Sequence, residues 1–94
     1  MKKILIAEDE DILLNVLKDR FEAEGWEVSV AKDGVEAMVA INKSKFDLVL
    51  LDLLMPKKNG FEVLKEVMDN PELKNLPIIV LSNLGGDEDI KKAL

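Results

Sequence analysis

The stretch FDLVLLDLLMP, residues 46–56, decides the fold. Its positions 48–51 are all apolar, so neither face of the segment is polar. A strand half in water alternates, whereas one covered on both faces reads as a continuous apolar run. The segment therefore predicts a buried strand of a parallel sheet, ended by Pro56. One acid, Asp52, interrupts the leucines. An ionised carboxylate in such surroundings is costly unless it is hydrogen-bonded, paired or bound to a metal.

Working outward, the same alternation of strand and helix recurs. KKILIA, residues 2–7, is a short apolar strand. DILLNVLKDRFEAEG follows, with Ile12, Leu13, Val16, Leu17 and Phe21 at helical spacing. Asp11 is placed to cap its start and Gly25 to mark its end. WEVSVA alternates as a strand, closed by the turn signal Asp33-Gly34. VEAMVAINKS is a second helix. GFEVLKEVMDN is a third, with Phe61, Leu64, Val67 and Met68 on one face. LPIIVLS is a fourth strand, and DEDIKKAL begins a further helix. The order β-α-β-α-β-α-β-α with short loops implies parallel strands, right-handed crossovers and helices on both faces of the sheet.

In such a sheet the strands end on one edge, and ligands bind there. The first strand runs straight into four acids, in ILIAEDED, residues 4–11. Glu8 and Asp9 thus stand at the end of the first strand, Asp52 near the end of the third and Ser82 at the end of the fourth. If the first and third strands are neighbours, three carboxylates converge beside a hydroxyl. Taken singly, each has a plainer reading. The acid run suits the positive end of the next helix, Asp52 could be held by loop amides, and Ser82 is a common turn former. Together they repel unless protonated or neutralised. A hard divalent cation with oxygen ligands resolves this, and Mg²⁺ suits few carboxylates with waters and a phosphate oxygen. A carboxylate beside such a cation can also accept a phosphoryl group.

Composition narrows the chemistry. Ninety-four residues fit one domain. With no cysteine there is no disulfide or thiolate zinc site, which fits a reducing cytoplasm. With no histidine there is no His-based triad, metal site or phosphocarrier on this chain. Thirteen basic against 19 acidic residues give a net charge of −6, which argues against gripping nucleic acid by its phosphates. No apolar run approaches the about 18 residues of a membrane span. Acids stand where a secretion signal would have its cleavage site, so MKKILIA is not read as one. Neither G-x-x-x-x-G-K nor G-x-G-x-x-G occurs, which leaves no signal for a nucleotide enzyme. A metal-dependent phosphohydrolase usually carries two aspartates spaced by one residue on its nucleophile strand, whereas Asp52 is followed by Leu53 and Leu54.

These residues resemble the receiver domain of two-component response regulators, of the chemotaxis-regulator type. The acid pair Glu8-Asp9 matches. So does LLDLLMPKKNG, with Asp52, then Pro56 and Gly60. The turn KDGVEA and the strand ending PIIVLSN fit as well. The resemblance implies that Asp52 takes a phosphoryl group from a phosphohistidine on a sensor histidine kinase or phosphotransfer protein. It implies Mg²⁺ held by Asp9, Asp52 and the Leu54 backbone carbonyl, with Glu8 acting through water, and Ser82 as the switch hydroxyl. Asn83 stands where the family usually has a small residue. The expected role is that of a phospho-accepting switch in the cytoplasm, not a turnover enzyme, with no membrane and no nucleic acid contact.

The family pattern has five strands in the order 2-1-3-4-5. The expectation for this chain is a flavodoxin-like, doubly wound parallel sheet in the order 2-1-3-4 over one domain, residues 1–94, lacking the fifth βα unit. The fifth-strand lysine that contacts the phosphoryl group is then missing, and nothing in the sequence positions Lys57 or Lys58 to replace it. The segment IIVLS becomes a bare apolar sheet edge, which predicts a homodimer or higher oligomer. The alternative function is a receiver-like binding or oligomerisation module whose phospho-switch is impaired.

Overall fold

The computed structural model describes residues 1–81. Seven elements follow in order: β1 (Lys3–Ala7), α1 (Asp11–Ala23), β2 (Glu27–Ala31), α2 (Gly34–Lys43), β3 (Leu48–Asp52), α3 (Gly60–Asp69) and β4 (Ile78–Leu81). All strand pairs are parallel and the sheet order is β2-β1-β3-β4. This is the flavodoxin-like arrangement that the alternation implies. Ser82, Asn83 and the helix expected over DEDIKKAL lie outside the described residues, as does whatever bears on the outer edge of β4 and on self-association there.

The central strands behave as their composition dictates. All but the first residue of β1 are buried, and β3 repeats that pattern. Successive side chains point to opposite faces, so one strand feeds two cores. Leu5, Ala7, Val49 and Leu51 pack with Ala37, Met38 and Ile41 of α2 and Val63 and Val67 of α3. Ile4, Ile6 and Leu50 pack on the other face with Leu14, Leu17 and Phe21 of α1. Both faces of the sheet are therefore covered.

Three local expectations need correction. Strand β3 stops at Asp52, four residues before Pro56. The Leu53 amide still donates to the Leu81 carbonyl at 3.1 Å, but the Leu53 carbonyl turns to accept the Gly60 amide at 3.0 Å, which ends the pairing. Asp11 is the first residue of α1 rather than its cap. Glu10 occupies the cap position and makes no side-chain cap bond. The apolar faces of two helices are also shifted. On α1, Leu14 is buried while Ile12 and Val16 are exposed. On α3, Val63 and Val67 are buried, and Phe61 and Met68 are exposed. Gly25 does end α1, at φ +90°, where a side chain would be strained.

Candidate functional site

The site grows out of strand register. Ala7 of β1 lies beside Ala31 of β2 and Leu51 of β3. Pairing continues one residue past β1, where the Glu8 amide donates to the Ala31 carbonyl at 2.9 Å. That bond aims the next two side chains off the carboxyl edge. Asp52 ends β3 beside Leu81 of β4. Glu8, Asp9 and Asp52 each bring a carboxylate oxygen to within 4.8 Å of the others. Glu8 and Asp52 are fully buried, and Asp9 faces solvent.

The buried pair is only half satisfied. One Glu8 oxygen accepts the Glu10 amide at 3.3 Å, and one Asp52 oxygen accepts the Leu54 amide at 3.1 Å. Glu8 Oε2 and Asp52 Oδ2 have no hydrogen-bond partner. Buried acceptors without partners are rare and costly. Burial first, and then Asp52, pushes the Glu8 carboxyl up to about 7. Burial also raises Asp52, opposed by the neighbouring Glu8 carboxyl and by the Leu54 amide. Of the two, Glu8 is the carboxyl whose proton the fold holds up to about 7.

Glu8 binds its proton more tightly in the fold, about 7, than at its ordinary value of 4.5. Its contribution is complete below the ordinary value and is lost as pH rises through about 7. The opposite shift at Asp33, lowered first by the Glu36 amide, acts only at more acid pH. In chelator, the melting temperature is therefore expected to be higher at pH 5.5 than at pH 8. The underlying difference is about 1–3 kcal/mol, discounted for screening. Mg²⁺ should raise the pH 8 value more than the pH 5.5 value. Thermal melts at both pH values check this, and a flat or inverted profile in chelator would contradict it.

Around the acids, the loop of residues 53–59 is firmly held. The α3 start is a capping box. The Asn59 side chain accepts the Glu62 amide at 3.0 Å, and the Asn59 amide reaches Glu62 Oε1 at 3.3 Å. Lys57 sits in the left-handed region at φ 65°, which costs a non-glycine residue roughly 1 kcal/mol or more. Its ammonium lies 3.5 Å from Asp33. Lys58 pairs with Glu66, and Lys32 with Asp11. As the sequence led us to expect, neither Lys57 nor Lys58 is directed at the acid cluster.

The structure thus brings together Glu8, Asp9 and Asp52. The Leu54 amide is bonded to Asp52, and Ser82 is outside the described residues. Sequence reasoning passed over Asp33. It saw a turn signal there, where the structure shows a buried helix cap whose second oxygen faces a loop lysine. The cap was legible from Asp33 followed three residues on by Glu36, but the lysine was not.

Comparison with known proteins agrees with this geometry. The family profile of the response regulator receiver domain matches residues 4–94. The transcriptional regulatory protein CpxR homolog of Haemophilus influenzae is 40% identical over 89 residues, covering 95% of this chain and 37% of that protein. The chain therefore spans little more than a third of that relative's length. The receiver domain of Francisella response regulator 1452 superposes with a TM-score of 0.88 at 32% identity, covering 99% of this chain and 75% of that one. The Mn(2+)-bound form of response regulator Rcp1 superposes with a TM-score of 0.86 at 31% identity, covering 99% and 73%.

Proposed function

This chain belongs to the response regulator receiver domain family, and we propose that it works as a phospho-accepting switch with Asp52 as the acceptor. The observation that carries the reading is the pair of buried, unpartnered oxygens, Glu8 Oε2 and Asp52 Oδ2, at the carboxyl edge of a parallel sheet. A structural carboxylate would have spent both oxygens on amides. Asp52 spends one, on Leu54, which fixes its plane and leaves Oδ2 free to react.

In the transfer, an ionised Asp52 oxygen attacks the phosphorus of a phosphohistidine on a sensor histidine kinase or phosphotransfer protein. A P–O bond forms and the P–N bond breaks. The imidazole nitrogen leaves with the bonding pair and takes a proton from water. None of these 94 residues is a histidine, so the donor nitrogen is not among them. The product is an acyl phosphate on Asp52, made once per chain rather than turned over.

The donor set fits a hard divalent cation: three carboxylates, two of them buried with an unpartnered oxygen and the third exposed. Asp9, Asp52 and the Leu54 carbonyl would hold Mg²⁺, with Glu8 through water. Bound there, it would supply the positive charge that offsets the acids and the incoming phosphoryl group. Ser82 keeps the switch-hydroxyl role on the resemblance to the family. Among the described residues no helix is long and apolar enough to cross a membrane, and a cytoplasmic setting goes with the proposed kinase partner.

Intact mass spectrometry after incubation with a small phosphoramidate or acyl phosphate tests the reading. A single phosphoryl gain is expected with Mg²⁺, and none in chelator. No gain under conditions that modify another receiver in parallel would overturn it and favour the binding-module alternative.

A further inference from the structure

We propose that Asp33 and Lys57 form a positioning pair for the phosphoryl site, pinning the loop that runs on from Asp52 and carries the Leu54 carbonyl. This rests on the phospho-acceptor reading above. Neither residue belongs to the acid cluster, so both act through the loop.

Three observations carry it. First, Asp33 is buried and divides its oxygens. Oδ1 caps α2 by accepting the Glu36 amide at 2.8 Å, and Oδ2 faces the Lys57 ammonium at 3.5 Å. An ordinary N-cap aspartate needs only the first bond. Second, Lys57 is the one non-glycine residue with positive φ among the described residues. A lysine held in that conformation has to be over-determined by its surroundings. Its side chain is largely exposed, so packing does not supply the constraint. The ion pair to a carboxylate rooted in α2 does. Third, the same turn meets the loop backbone. A Cβ on Gly34 would fall 2.6 Å from the Lys58 carbonyl carbon, so only glycine lets α2 and the loop touch.

The loop is therefore anchored at three places. Its start is tied by the Leu54 amide on Asp52, its end by the Gly60 amide on the Leu53 carbonyl at 3.0 Å, and its middle by Lys57 on Asp33. The first uses the Asp52 carboxylate itself, and the second is a backbone bond that any sequence of this shape supplies. The third is a choice of side chains, and it sets where the Leu54 carbonyl sits relative to the acids. Loosening it leaves the sheet intact and blurs the cation site.

Two substitutions isolate the pair without attacking the fold. Asp33→Asn keeps a good N-cap and removes the charge. Lys57→Asn keeps a residue that tolerates positive φ and removes the ammonium. The apparent Kd for Mg²⁺ alone is measured by amide shifts on the isotopically labelled chain. Urea unfolding and phosphorylation rate at saturating Mg²⁺ are measured on the same samples.

Each single change is expected to weaken Mg²⁺ binding about two- to five-fold, the range of a partly exposed ion pair. The double variant should be no weaker than either single, because the two remove one interaction. Lys57→Arg should restore the affinity. The rate at saturating Mg²⁺ should stay near that of the unsubstituted chain. Unchanged Kd values in both singles, or losses that add in the double and follow urea stability, would overturn the pair as a positioning device. Variants that show the expected losses of Mg²⁺ affinity while no form of the chain, the unsubstituted one included, takes a phosphoryl group would sink the phospho-acceptor reading instead.

Discussion

Asp52→Asn is expected to abolish phosphoryl uptake and, in chelator, to melt higher than the unsubstituted chain. The two effects have one origin. The amide has no ionised oxygen with which to attack phosphorus, so the mass gain should vanish. Its carbonyl oxygen can still accept the Leu54 amide now held by Asp52 at 3.1 Å. Its NH₂ replaces an unpartnered buried oxygen with a donor facing Glu8. A buried charge is thereby removed from beside a carboxyl already pushed up to about 7. Relief of about 1–2 kcal/mol corresponds to a rise of roughly 5–10 °C for a domain of this size. Mg²⁺ should stabilise the variant much less than it stabilises the unsubstituted chain. A lower melting temperature in chelator would mean that the Asp52 charge is already compensated inside the fold.

Gly60→Ala is expected to cost about 3 kcal/mol of stability or more. Gly60 opens α3 directly above the end of β3. An added Cβ would collide with the Asp52 carbonyl oxygen, and would stand 2.6 Å from Leu53 Cα and 2.9 Å from the Asp52 carbonyl carbon. All three are backbone atoms, so no side chain can swing aside. Either α3 lifts from the sheet, losing the packing of Val63 and Val67, or the end of β3 moves with its carboxylate. Gly25→Ala is the control. There φ is +90° but a Cβ meets nothing within 4 Å. Only backbone strain remains, worth about 1 kcal/mol. Urea unfolding of the two variants side by side measures the contrast. Equal losses would show that the approach of α3 to β3 is looser than this structure has it.

Most of the architecture was legible because burial on both faces leaves a plain mark. Leu48, Val49, Leu50 and Leu51 cannot alternate with polar residues when helices cover both sides of the sheet, and the structure buries Val49, Leu50 and Leu51 and half-buries Leu48. The acids were legible for a related reason. Asp52 is an expensive residue at the end of that run, and Glu8-Asp9 ends the neighbouring strand.

The helix faces were harder to read. Ile12, Leu13, Leu14, Val16, Leu17 and Phe21 spread around much of α1, so spacing alone admits two stripes. The sheet selected the stripe containing Leu14 and left Ile12 and Val16 outside. Phe61 and Met68 on α3 show the same ambiguity, resolved towards Val63 and Val67 by the close approach at Gly60. The Asp33–Lys57 contact left no trace in the sequence, because it depends on a left-handed kink at a residue type that seldom adopts one.

The most direct measurement locates the phosphoryl group chemically. The chain is phosphorylated with phosphoramidate and Mg²⁺, the acyl phosphate is reduced with borohydride to the corresponding alcohol, and the peptides are sequenced by tandem mass spectrometry. We expect homoserine at position 52 and unmodified Glu8 and Asp9. Reduction at Glu8 or Asp9, or none at all from a sample that had gained phosphoryl mass, would contradict the assignment of Asp52 as the acceptor.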